Sequence, residues 1–143
     1  MTRLQTVRWF ASEVAGEHVV VSRTTDEWSC SVTRKHPMIT IPRDVFTNDE
    51  DDKIFRRDFV ARCPLARGFS NPTISVLHEL GHFFTLHNFP NENWEDDDNM
   101  TTEEHIKVPC EVAATNWAIE WLQNADNRKV AKAFERELFK AVR

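Results

Sequence analysis

Apolar residues recur at helical spacing at both ends of the chain and in alternating, β-branched runs between them. Leu4, Val7, Phe10, Ala11 and Val14 fall on one helical face, and Gly16 follows where a left-handed cap closes a helix, so residues 4–15 predict a short helix. Three runs then read as strands of one antiparallel sheet: HVVVSRT (18–24), EWSCSVT (27–33) and PMITIP (37–42). Pro37 and Pro42 bracket the third run, and proline cannot donate to a ladder, so residues 38–41 are expected at the sheet edge. Residues 51–63, with Ile54, Phe55 and Phe59, predict an amphipathic helix that Pro64 stops, and the LARGFS segment (65–70) predicts a loop.

The clearest helix begins at Asn71, read as a capping side chain, with Pro72 in its first turn and the run TISVLHELGHFFTLH behind it. Residues 88–106 hold seven carboxylates and no Lys or Arg, the pattern of an exposed loop. Two further helices are expected at 108–123, with Pro109 in the first turn, and at 126–142. Helix, small sheet, then helices describes an α+β fold.

Composition narrows the setting. At 143 residues and 41% hydrophobic content, one domain spanning 1–143 is expected. A net charge of -5 without clustered basic residues argues against direct nucleic-acid binding. Cys30, Cys63 and Cys110 are odd in number and form no CxxC pair, so a reducing, cytoplasmic setting fits better than a disulfide framework or a thiolate zinc ribbon. The first residues lack the apolar stretch of a signal peptide, and no run approaches the roughly 20 apolar residues that span a bilayer. A membrane is therefore not an expected partner.

His78-Glu79-Leu80-Gly81-His82 is an HExxH sequence inside the best-defined helix. Histidines at i and i+4 share one face, so both imidazoles can reach a single ion at about 2.0–2.1 Å. Glu79 is rotated about 100° from His78, beside rather than within that coordination, where it can take a proton from a metal-bound water. Zinc would acidify that water and polarise a carbonyl. The plain reading is two helix histidines flanking a glutamate; its difficulty is that each would need a buried partner to offset desolvation.

Two histidines leave a catalytic zinc one protein ligand short. His87 lies about 140° around the helix from His82 and converges poorly. His105 leaves the acidic segment and would be a loop ligand, and Glu120 lies far along the next helix. Glu111 sits in that helix's first turn, and the small side chains of Ala113, Ala114 and Ala118 allow close approach, so Glu111 is favoured over a mere complement to the helix dipole.

HELGH, followed about thirty residues later by Glu111, Ala114, Trp117 and Ala118, resembles the gluzincin metallopeptidases, most closely the compact ImmA/IrrE-like group, over residues 71–122. The resemblance implies a zincin-like domain in which His78, His82 and Glu111 bind one zinc and Glu79 is the general base. It also implies a selective endopeptidase acting on a protein or peptide substrate, often a transcriptional repressor of phages and mobile elements. Ala113 stands where the family often has an acidic residue, and Thr115 where it usually has asparagine. Many gluzincins hold the oxyanion with tyrosine or histidine, and this chain has no tyrosine, which leaves His105 as the foremost donor, with His87 or an arginine open. Thr115 or Asn116 can orient a ligand from behind.

Other features weigh less. The five tryptophans read as core and interface residues, Trp94 in the acidic segment being the hardest to bury. The acidic run lacks calcium-loop spacing, and Cys110 reads as a small buried thiol. The rival functions are a binding or regulatory protein on a zincin scaffold that turns over little or nothing, and a structural metal site, which would ordinarily be closed by four protein ligands.

Overall fold

The computed structural model describes residues 1–23, 27–31, 35–89 and 100–142, without the side chain of His87. Trp94 and most of the acidic segment lie outside the described residues. The elements run α1 (Arg3–Ala15), β1 (Val20–Ser22), β2 (Ser29–Cys30), β3 (Met38–Thr40), α2 (Glu50–Arg62), α3 (Asn71–Thr85), α4 (Thr102–His105), α5 (Pro109–Leu122) and α6 (Ala125–Lys140), with 3₁₀ turns at Pro64–Gly68 and Leu86–Asn88. The chain is mixed α+β, mostly helical, with a small three-stranded sheet.

Local chemistry sets the helix ends. A reciprocal capping box starts α1, the Thr2 side chain accepting from the Gln5 N–H at 3.1 Å and the Gln5 side chain accepting from the Thr2 N–H at 2.8 Å. Gly16 ends it at φ 71°, where a side chain would be strained. The opposite ends of the chain meet: the Arg3 N–H donates to the Val142 carbonyl at 2.8 Å, and Phe10 stacks on Phe134 of α6 with centroids 4.2 Å apart.

The sheet differs from expectation in two respects. Its order is β1-β3-β2, so Met38–Thr40 is the central strand and not an edge. It pairs antiparallel with β2 but parallel with β1, so the sheet is mixed and not antiparallel throughout. Burial explains the placement: Ile39 and Ile41 are wholly buried and Thr40 nearly so, as a strand covered on both faces requires. Pro37 and Pro42 fall just beyond the strand, where no ladder donor is lost, and the Pro37 carbonyl accepts from the Val20 N–H at 3.2 Å.

Most of the predicted 65–70 loop is the 3₁₀ turn at Pro64–Gly68, which delivers the chain to α3. Asn71 is not the cap of α3. Ser70 occupies that position, and the Asn71 side chain instead accepts from Arg56 Nη1 at 3.0 Å. The cap comes from far along the chain. Oε2 of Glu135 on α6 accepts from the Ser70 N–H at 2.5 Å and from the Thr73 hydroxyl at 2.9 Å. A carboxylate at a helix N-terminus satisfies otherwise orphaned donors and complements the dipole.

α3 is buried continuously from Pro72 to His82, and α5 lies directly against it. Gly81 makes that approach possible. A Cβ there would sit 2.4 Å from the Ala114 carbonyl oxygen and 2.9 Å from its Cα. Fully buried Ala114 and Ala118 supply the matching small surface on α5, as the sequence predicts, whereas Ala113 is only partly covered.

Candidate metal centre

The close contact at Gly81 brings the first turn of α5 to the middle of α3. His78, Glu79, His82 and Glu111 are all buried, between 6% and 9% exposed. Glu111 is the meeting point. Nε2 of His82 is in direct hydrogen-bond contact with its Oε2, Nε2 of His78 lies 3.7 Å from its Oε1, and Nε2 of His105 lies 2.6 Å from that same oxygen. Two ligands of a tetrahedral zinc bound at about 2.1 Å sit roughly 3.4 Å apart. The His78–Glu111 separation is close to that edge, and His82 and Glu111 are closer than it.

His78 and His105 each have their own support. Nδ1 of His78 is hydrogen-bonded to the Thr115 hydroxyl at 3.0 Å, and Phe55 lies edge-on to the ring at 5.0 Å. A proton on Nδ1, shared with the Thr115 hydroxyl, would free the Nε2 lone pair for an ion, the tautomer that a metal ligand needs, whereas in the metal-free protein Nε2 faces the Glu111 carboxylate. Of the two orienting candidates, Thr115 is the one in place, because Asn116 is exposed. His105 does not leave a loop as expected. It ends α4, whose Thr101–Glu104 capping box and Thr102–Asp51 hydrogen bond of 2.6 Å fix the helix against α2. Glu120, near the far end of α5, is exposed, and the side chain of His87 is outside the described residues.

The electrostatics follow from crowding carboxylates and imidazoles in a dry place. Burial alone would raise the Glu111 pKa, but hydrogen bonds from His105, His78 and His82 outweigh it and hold the carboxyl far below the usual carboxylate range. Burial would likewise lower His82, yet its bond to Glu111 and the neighbouring Glu79 raise it on balance. Glu79 moves up, mainly through desolvation, with the two histidines opposing the shift. An upward-shifted carboxylate holds a proton more readily than a free one, which suits a group that takes a proton and passes it on. Burial and the Glu79 charge also push the thiol of Cys30, on β2, above its ordinary range.

A cleft of about 250 Å³ opens onto His78, Glu79, His105 and Glu111. Glu27 and Trp28, just ahead of β2, and Asp49, Asp51, Asp52 and Phe55, from the start of α2, form its walls. No lysine or arginine is among the described residues lining it, so its potential is negative. None of those wall residues carries a readable sequence signal, because they come from separate elements.

Buried His, Glu and Cys groups here could hold a metal ion. Ligand atoms of His78, Glu79 and His82 lie within 4.8 Å of one another, and so do those of His82, Cys110 and Glu111. Two imidazoles and a carboxylate form a borderline-soft donor set suited to zinc. Sequence reasoning passed over Cys110 as a donor, although its position next to Glu111 was the available signal. No helix among the described residues is long and apolar enough to cross a membrane. Compared with protein-family models, with curated proteins and with solved structures, the chain matches none.

Proposed function

We propose that the chain is a small zinc metallopeptidase with a zincin-like domain, using His78, His82 and Glu111 as ligands and Glu79 as general base. The observation that carries this reading is the convergence of three buried side chains from two helices, with a fourth buried carboxylate beside them, at an open cleft of about 250 Å³. When bound, zinc would supply Lewis-acid polarisation of the scissile carbonyl and acidify a water.

The protein's own groups do the rest. The Glu79 carboxylate accepts a proton from the attacking water and delivers it to the leaving amine nitrogen. Thr115 holds His78 in register, and His105 is the foremost candidate to steady the oxyanion once it parts from Glu111. Of the sheet edges, β2 is the one beside α3, next to cleft residues Glu27 and Trp28, so β2 replaces residues 38–41 as the strand that would hold substrate by strand addition. The substrate is a protein or peptide, and a transcriptional repressor rests on the family resemblance alone.

A second reading, a zincin-fold binding protein with little or no turnover, is favoured by one observation: His105, the expected oxyanion donor, is bonded to Glu111. One experiment separates them. Zinc-loaded protein and its Glu79→Gln variant are incubated with a peptide library, and new termini are read by mass spectrometry. The peptidase reading predicts cuts by the wild type that the variant does not make, with zinc content equal in both; no cuts by zinc-loaded wild type would leave the binding protein.

A further inference from the structure

Cys110 precedes Glu111 in the first turn of α5 and is buried, at 5% exposure. Its sulfur, a ring nitrogen of His82 and a carboxylate oxygen of Glu111 all lie within 4.8 Å of one another. This second donor set shares His82 and Glu111 with the proposed zinc ligands. Zn–S bonds of about 2.3 Å and Zn–N bonds of about 2.0–2.1 Å place sulfur and nitrogen roughly 3.6 Å apart in one coordination sphere, so a side-chain rotation is the scale of movement required.

We infer that Cys110 is a further metal ligand of this chain, able to bind the same ion as His82 and Glu111. The inference rests on the metal-site reading above and changes its chemistry. Ligation by His78, His82 and Glu111 alone leaves a position open, as catalytic zinc requires, whereas a Cys110 thiolate on an ion shared with His82 and Glu111 would take up that position or stand in for His78. Binding through sulfur releases the thiol proton and favours soft divalent ions, zinc, cobalt and cadmium, over magnesium or calcium. The two sets make Cys110 the residue that decides whether sulfur enters the coordination sphere.

Cobalt(II) reports sulfur ligation directly through a near-ultraviolet charge-transfer band. Wild type and Cys110→Ser are titrated with Co²⁺ and followed by absorption, with circular dichroism confirming the fold. The expected result is uptake by both proteins with the sulfur band in the wild type alone. Because Cys30 and Cys63 remain in the variant, a band that persists there overturns the assignment. A wild type that binds cobalt without a sulfur band overturns it too, while leaving the His78, His82 and Glu111 site intact; folded wild type that takes up no cobalt removes both. Zinc X-ray absorption on wild type alone gives the same decision should the variant misfold: a sulfur scatterer at about 2.3 Å supports ligation, and a shell of nitrogen and oxygen only contradicts it.

Discussion

The Thr115 hydroxyl sits 3.0 Å from Nδ1 of His78, joining the turn that follows Glu111 on α5 to the first histidine on α3. One hydrogen bond therefore couples the orientation of a ligand on one helix to the helix that supplies another. Thr115→Val keeps the shape and removes the bond. Zinc affinity should fall about 10–100-fold, read by competition with a chromogenic chelator, with little change in the fold. Asn116→Ala, at an exposed neighbour, should leave affinity unchanged.

Gly81 tests the packing that assembles the site. In an open helix, glycine to alanine stabilises by up to about 1 kcal/mol. Here the new Cβ would meet the Ala114 backbone at 2.4 Å, and backbone cannot swing aside. Gly81→Ala should cost about 2–3 kcal/mol in denaturant unfolding, whereas Gly68→Ala, where the nearest atom is Lys132 Nζ at 3.5 Å, should be close to neutral.

Glu135 anchors the start of the metal helix from α6. Glu135→Leu leaves the Ser70 N–H and the Thr73 hydroxyl without their acceptor and should destabilise by about 2–3 kcal/mol. Glu135→Gln, which retains an oxygen, should cost less. A Glu135→Leu variant as stable as wild type would show that this cap contributes little.

How much of this was legible depends on the range of the interaction. The two histidines one turn apart, Gly16 ending α1 and the small residues of α5 are local patterns, and the structure carries each of them. Glu111 could be favoured because its helix start and its alanines lie in one short segment. The cap of α3 could not be read, because Glu135 is 65 residues from Ser70 and nothing near Asn71 announces it. Strand order was misread for a related reason. Pro37 and Pro42 show only where a ladder cannot extend, while the central place of Met38–Thr40 is set by burial of both its faces.

The pH dependence follows from the shifted groups in metal-free protein. His82 is raised above 6.5, so its contribution is full below that value and is lost as pH rises through its folded pKa. Glu79, raised above 4.5, also makes stability fall with rising pH. Glu111, held below 4.5, contributes above 4.5 and loses that contribution only as pH falls through its far lower folded value. Metal-free stability should therefore be greatest near pH 4.5 and decline as pH rises, more steeply once it passes 6.5. Zinc needs deprotonated imidazoles, so the gain in Tm on adding it should grow over the same rise. Scanning calorimetry with and without zinc at several pH values reads both slopes, and a zinc gain that shrinks as pH rises would contradict the assignment.

The central claim is the ligand set, and metal content tests it most directly. Purified wild type, Glu111→Ala and His105→Ala are loaded with zinc, desalted and analysed by mass spectrometry of the metal at matched protein concentration. The account predicts one zinc per chain in wild type and in His105→Ala, and its loss in Glu111→Ala. Folded wild type that holds no zinc, or Glu111→Ala that holds as much as wild type, would contradict it.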